Sequence, residues 1–196
     1  MRNSKHPIFR HPTFCGVILV AVMAAFPCTG NAASPPPCTI AAVTPEQPTG
    51  VPDRLRLLED RNAIEELKAA YAYAIDAVLK DPSEIDRLLV LFDEDICLDY
   101  GPFGIFRGKQ EIKQLFQVTV PTISTWNFHV ASHPILVING AHGTGIWKVV
   151  AAAVLTSDPS RVQQVYATYH DEYVKTATGW KFKAIKVLFD TPPTSP

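Results

Sequence analysis

The chain has 196 residues, of which 47% are hydrophobic and 19% charged. That is less charge than the roughly 25% of average soluble domains, and it argues against a disordered chain. Lys+Arg 18 against Asp+Glu 19 leaves a net charge of −1, so there is neither a basic footprint for nucleic acid nor a polyacidic tail. Of the 17 prolines, nine lie in residues 1–52, three in the last five residues and five in residues 53–190. This distribution points to one domain, long enough for a core that buries about two thirds of the unfolded surface.

Residues 1–33 read as a secretory signal peptide: Arg2, Lys5 and Arg10 precede an apolar run from Phe14 to Phe26, and small residues follow to Ala32 and Ala33. The run falls short of the roughly 20 residues a membrane span needs. The expectation is cleavage after Ala32 or Ala33, no stable membrane anchor afterwards, and a secreted or periplasmic mature protein. Its charge would be 15 basic against 19 acidic groups, a net of −4. Cleavage also removes Cys15 and Cys28, which leaves Cys38 and Cys97 in an oxidising compartment, either as two thiols or as a disulfide. Residues 34–52, SPPPCTIAAVTPEQPTGVP, form a linker or arm, since proline denies donors to any ladder.

From Asp53 onward Leu57, Ile64, Leu67, Ala70, Tyr71, Ala74, Ile75 and Val78 recur at helical spacing. Lys80, Asp81 and Pro82 end that helix, and Ser83 opens a second one carrying Ile85, Leu88, Leu89 and Phe92. Residues 93–100 alternate as a strand, with Ile96, Leu98 and Tyr100 on the inner side and Cys97 and Asp99 on the outer, where the arm can reach Cys97. GPFGIFRG reads as a loop, and residues 109–120 as a helix stopped by Pro121. Strands follow at 126–138, 145–156, 162–176 and 180–189, the first pair joined at Asn139-Gly140. Helices first and antiparallel strands after predict an α+β fold, with helices on the concave face of a curved sheet.

Four stretches in order, YAYAIDAVLKDPSEIDRLLVLFDEDICLDYGPFG, FRGKQEI, NFHVASHPILVING and YATYHDEYVKTATGWKFKAIKV, resemble the landmarks of the SnoaL-like, NTF2-like superfamily over residues 53–189. The resemblance implies a cone-shaped barrel, a strongly curved and mostly antiparallel sheet wrapped around N-terminal helices, with a deep apolar pocket. In scytalone-dehydratase-like members a Tyr-Asp pair occupies the end of the first helix, the Asp holding the pocket histidine. Here Ile75 stands at the tyrosine position and Asp76 matches the aspartate. His129 matches the histidine and Tyr100 a pocket tyrosine, which also replaces the catalytic aspartate of ketosteroid isomerases. Tyr71 matches the isomerases' hydroxyl donor and Tyr169 a dehydratase asparagine, while Trp147 lies on the strand where the second dehydratase histidine is absent.

The catalytic expectation is therefore His129 as proton shuttle, Asp76 as its orienter and Tyr100 as hydroxyl donor, with Tyr71, Tyr169, Ile75 and Trp147 lining the substrate. Asp76 read by itself also fits a solvent-facing partner of Lys80, and His129 a core histidine bonded to backbone. His133 precedes Pro134 and suggests a strand edge or bulge, His142 an exposed turn, and His170 a position outside the cone. A metal set from His129, His133 and His142 would straddle a proline and a hairpin, so neither metal nor other cofactor is implied. The expected activity is cofactor-free dehydration or isomerisation of a small, largely apolar, oxygenated or cyclic molecule. The alternative is a non-catalytic ligand-binding or assembly module. A homodimer through the sheet is expected, because the strand VQQVYATYHDEYV has a second face bearing Tyr166 and Val174.

Overall fold

The computed structural model describes residues 35–190, so the expected signal segment and the tail after Asp190 lie outside the described residues. Helix α1 (Val51–Lys80) turns one face to the core through Ile64, Leu67, Tyr71, Ala74, Ile75 and Val78. These positions three and four apart make a single apolar stripe. It starts two residues before Asp53, with Pro52 in its first turn, where no helical N–H is required. A short α2 (Ile85–Leu89) follows a 3-10 turn begun by the Asp81 carboxylate, which accepts the Ser83 N–H.

Strand β1 (Phe92–Asp99) takes Phe92 out of the expected second helix. Its spacing fits a helix as well as a strand, but parallel pairing with the last strand, Phe92 opposite Phe182, holds it in the sheet. Strand β2 (Ile105–Arg107) replaces the expected loop and pairs antiparallel with β1. Helix α3 (Gly108–Gln114) runs through a π-helical segment (Leu115–Thr119) into α4 (Val120–Ile123). Pro121 therefore does not stop the helix; it sits in the first turn of α4, where its missing N–H is tolerated.

Strands β3 (Ser124–Asn139), β4 (His142–Leu155), β5 (Val162–Thr176) and β6 (Gly179–Phe189) complete a six-stranded sheet in the order β2-β1-β6-β5-β4-β3. The fold is α+β, and the sheet is curved but open, with β2 and β3 as its edges. The β3–β4 turn is Gly140-Ala141, one residue later than expected, and Gly140 supplies a positive φ of 56°. His133 has φ 54° beside the register shift between Ser132 and Ile135, so the bulge falls there. Facing residues of β1, β5 and β6 close the core over α1 with Ile96, Leu98, Tyr173, Phe182 and Ile185.

The proline-rich arm is strapped to the sheet. Cys38 is joined to Cys97 with their Cα atoms 5.7 Å apart, and both are buried with Ala184. Further along, Ala41 N–H donates to Glu172, the Glu46 N–H to Ile138 O, and Asn139 Nδ2 to Thr44 O. Glu46 also pairs with Arg56 of α1. The outer face of the sheet carries exposed Phe128, Val130, Val150, Tyr166 and Leu188, and Trp126 stacks on Phe128 with ring planes 7° apart.

The disulfide closes a loop of 59 residues, which constrains the unfolded chain by about 4 kcal/mol on loop entropy alone, with roughly 2–4 kcal/mol usually realised. Cys38→Ser should lower the denaturant midpoint correspondingly without changing the fold. Thiol labelling of unreduced, denatured wild type should find no reactive group at either position; two labelled cysteines would refute the pairing.

Candidate active site

Asp76 lies in the last turns of α1, one residue past the buried Ile75. Its Oδ2 accepts the backbone N–H of His129 at 3.0 Å, and its Oδ1 is 2.7 Å from His129 Nδ1. Both side chains keep partial exposure, 14% for Asp76 and 16% for His129. A carboxylate held by the main chain of its partner fixes the ring's orientation as well as its tautomer: the hydrogen sits on Nδ1 and the lone pair on Nε2. Lys80 is not its partner. His129 pairs in register with Ala151 of β4, so its strand neighbour is a methyl group.

Tyr100, at the end of β1, and Tyr71 of α1 share a hydrogen bond between hydroxyls at 2.6 Å. Phe116 meets the Tyr100 ring edge-on, while Tyr71 packs among Phe92 and Phe182. Tyr169, inward on β5, is buried. Burial raises the pKa of all three phenols, and the proximity of the Tyr100 oxygen adds to the rise at Tyr71 and Tyr169. They are thus neutral hydrogen donors.

Behind the phenols stands a pair that reading the sequence missed. Lys68 Nζ is 2.7 Å from Asp171 Oδ2, with both side chains at most 2% exposed. Trp147 Nε1 donates to Tyr173 OH and Tyr173 OH donates to the same Asp171 oxygen, each at 2.8 Å. Asp171 Oδ1 is buried without a partner among the described residues. Four rings surround the ammonium, Tyr169 closest at 4.4 Å from its centroid, then Tyr71, Phe182 and Trp147. Burial pulls Lys68 below its ordinary pKa and pushes Asp171 above its own, each opposed by the partner's charge. The signal was present: Lys68 falls in the stripe between Ile64 and Tyr71, and Asp171 shares the inward parity of Tyr169 and Tyr173.

Of the other expected lining residues, Ile75 is packed in the core, and Trp147 is buried with its indole N–H engaged by Tyr173. On β4 the inward positions beside it hold Gly145 and Val149 rather than a second histidine. His133 and His142 are exposed, and His170 is half-buried on the face opposite Tyr169. Among the described residues no three His, Cys, Asp or Glu side chains gather as a ligand set. Asp60, another buried carboxylate that sequence reading passed over, accepts from Trp180 Nε1 at 2.8 Å and Lys175 Nζ at 2.6 Å, and ties α1 to the β5–β6 hairpin. A cavity of about 430 Å³ lies between the arm and the sheet, lined by residues 41–44 with Asn139, His142 and Glu172. Asn139 is ten residues along β3 from His129, so this cavity is not the dyad's.

The SnoaL-like domain model matches residues 56–186. A solved structure of a protein from Novosphingobium aromaticivorans, assigned as an aromatic ring hydroxylase, is 28% identical; it superposes with a TM-score of 0.61 over 69% of this chain and 92% of its own. A second protein from that organism, assigned as a scytalone dehydratase, is 24% identical over 70% and 88% at a TM-score of 0.60. The hexachlorocyclohexane dehydrochlorinase LinA-type3 of Novosphingobium barchaimii is 19% identical over 70% and 91% at 0.62. No functionally curated protein matches the chain in sequence.

The Trp147–Tyr173 bond depends on the absence of a side chain at Gly145. A Cβ there would stand 2.8 Å from Trp147 Nε1 and from Leu136 Cδ2, and 3.1 Å from a Tyr173 ring carbon. Gly145→Ala should destabilise the fold by about 1–3 kcal/mol through overpacking, read as a lower denaturant midpoint. An unchanged midpoint with unchanged tryptophan fluorescence would show that the Trp147 donor chain is not held as described.

Proposed function

The chain belongs to the SnoaL-like domain family, and from that premise we propose that it is a cofactor-free acid/base enzyme, a dehydratase or isomerase of a small, largely apolar, oxygenated or cyclic molecule. The observation that carries the reading is the Asp76–His129 pair, in which one carboxylate engages both the ring and the main chain of the histidine. Nε2 takes a proton from a carbon beside the substrate oxygen, and the electron pair moves toward that oxygen. Tyr100 donates its hydroxyl hydrogen to the oxygen as charge builds. The imidazolium, stabilised by Asp76, then returns its proton to a leaving hydroxyl in dehydration or to another carbon in isomerisation. With Gly145 and Val149 rather than a second histidine at the inward positions of β4 beside Trp147, one imidazole carries both transfers. Two fold relatives bear the names of elimination enzymes, which agrees with this chemistry. Export to a secreted or periplasmic location belongs to the proposal, supported by the Cys38–Cys97 bond, since disulfides persist in oxidising compartments.

Native mass spectrometry of protein purified from its own host would supply the ligand, and its precursor the assay. His129→Ala should then lower turnover by about 10²- to 10⁴-fold without loss of folding. Asp76→Asn should cost less, because the imidazole remains. Tyr100→Phe should cost least and should weaken oxygenated ligands relative to their deoxy analogues, since one hydroxyl contact is lost. Full activity in His129→Ala, or a retained ligand with no turnover in the wild type, would replace this reading with a binding module.

We also propose that two copies pair through the outer sheet face, where Phe128, Val130, Val150, Tyr166 and Leu188 form an apolar strip opposite the helices. Light scattering of the protein from residue 34 onward should give twice the chain mass, and Val150→Lys with Tyr166→Lys should halve it. A monomer at high concentration would rule the pairing out.

A further inference from the structure

Strand β3 carries a second polar side chain on the face of His129. Asn127 precedes the histidine by two residues with no register shift between them, so the two share one face of the sheet, about 7 Å apart along the strand. The pairing registers extend them into two neighbouring rows across three strands, His129–Ala151–Val165 and Asn127–Ala153–Gln163. Every member of both rows is half-buried, whereas Phe128 and Gln164, which alternate with them, are exposed. Ile64 lies over Gly143, whose partner is Ile138, and Asp76 over His129, so α1 travels along β3 from Ile138 toward Asn127. It ends at Lys80, four residues or about 6 Å of rise past Asp76. The second row therefore lies where the helix stops covering the sheet. There two carboxamides flank the Ala153 methyl from either side, two strand spacings or about 10 Å apart at their Cα atoms. The Asn127 amide is fixed: Ser124 Oγ donates to its Oδ1 at 2.7 Å, with the Val154 and Trp126 carbonyls next at 2.9 and 3.0 Å. That contact turns the Asn127 NH2 away from Ser124.

We propose that Asn127 and Gln163 are specificity-determining residues that take a neutral hydroxyl of the substrate over Ala153, while the carbon that loses its proton lies over Ala151 beside His129. The Asn127 NH2 donates to the hydroxyl oxygen, and the Gln163 carbonyl accepts the hydroxyl hydrogen. Neither residue carries a charge, so the row favours a hydroxyl over a charged group. A carboxamide covered by hydrocarbon loses its hydration without gaining a partner, which also disfavours ligands that are apolar at that end. The substrate is thereby a small ring compound whose hydroxyl and acidic carbon stand at opposite ends of the ring. This rests on the proposed reaction for the place of the carbon, but the hydroxyl contact is read by binding and needs no turnover.

The probes are 4-hydroxyphenylacetone, whose acidic carbon and hydroxyl stand at opposite ends of one benzene ring, and phenylacetone, which lacks the hydroxyl. Titration calorimetry of the wild type should give at least tenfold tighter binding of the hydroxylated probe. Asn127→Leu and Gln163→Met, which nearly conserve volume, should each cut that preference by about three- to tenfold, since each removes one hydrogen bond. The double variant should abolish it, with phenylacetone bound no more weakly than by the wild type. A wild type without the preference, or one that binds neither probe, overturns the proposal. So does a double variant that keeps the preference, and so do variants that weaken both probes by the same factor, which is the outcome of a purely structural role. If the double variant fails to fold, the two single variants decide. His129→Ala should keep the preference; its loss there would assign the hydroxyl to the imidazole and also overturn the proposal. A preference that follows the two carboxamides in a wild type that turns nothing over would instead defeat the enzyme reading and leave this one standing.

Discussion

The register of α1 on the sheet is the constraint on which the rest of the structure depends. An apolar stripe can slide along a concave apolar surface by a helical turn at modest cost, but a buried charge cannot leave its partner. Helix α1 carries two buried anchors, Asp60 to Trp180 and Lys175 and Lys68 to Asp171, and a third that is partly exposed, Asp76 to His129, at spacings of eight residues. Eight residues are about 12 Å of helix rise and a little more than two turns, so each anchor is turned by about 80° from the one before it, and the three reach β6 and β5, β5, and β3 in succession. A slip of one turn would strand all of them at once. This is how a 30-residue helix comes to hold a single position.

That position creates the site. With Asp76 bonded to the main chain of His129 as well as its ring, the imidazole is oriented by the same contact that ends the docking of α1. Tyr71 lies five residues earlier, about 7.5 Å of rise, and meets Tyr100 from β1. The helix thus contributes one member to each of three pairs, Asp76 with His129 of β3, Tyr71 with Tyr100, and Lys68 with Asp171 of β5. The arm adds a restraint of another kind. Cross-linked to β1 and hydrogen-bonded to the β3–β4 hairpin, it spans the sheet on the side away from α1.

Legibility in the sequence varied with the range of the interaction involved. The α1 stripe, the four long strands and the bulge at His133 could be read because hydrophobic period and proline chemistry act between near neighbours. Strand β2 was missed because three residues are too few to show alternation, and Pro121 was misjudged because its cost depends on where in a turn it falls. Phe92 was assigned to a helix because its spacing suits both states, and only pairing with Phe182 decides between them. Asp76 and His129 were identified through a family resemblance, since neither carries a local signal of partnership. Lys68 and Asp171 were passed over because a charged residue on an apolar stripe reads as an interruption until its partner is known.

Composition and periodicity alone determined that the chain carries an α+β fold with a proline-rich segment ahead of its first helix. They also determined which residues face inward, because side-chain direction follows backbone period over a few residues. Only the tertiary structure decided which inward residues meet. Lys68 and Asp171 are 103 positions apart, Asp76 and His129 are 53 apart, and Cys38 and Cys97 are 59 apart. Contacts at such separations are set by the curvature and order of the sheet and by the register of α1 upon it, which no stretch of neighbouring residues encodes.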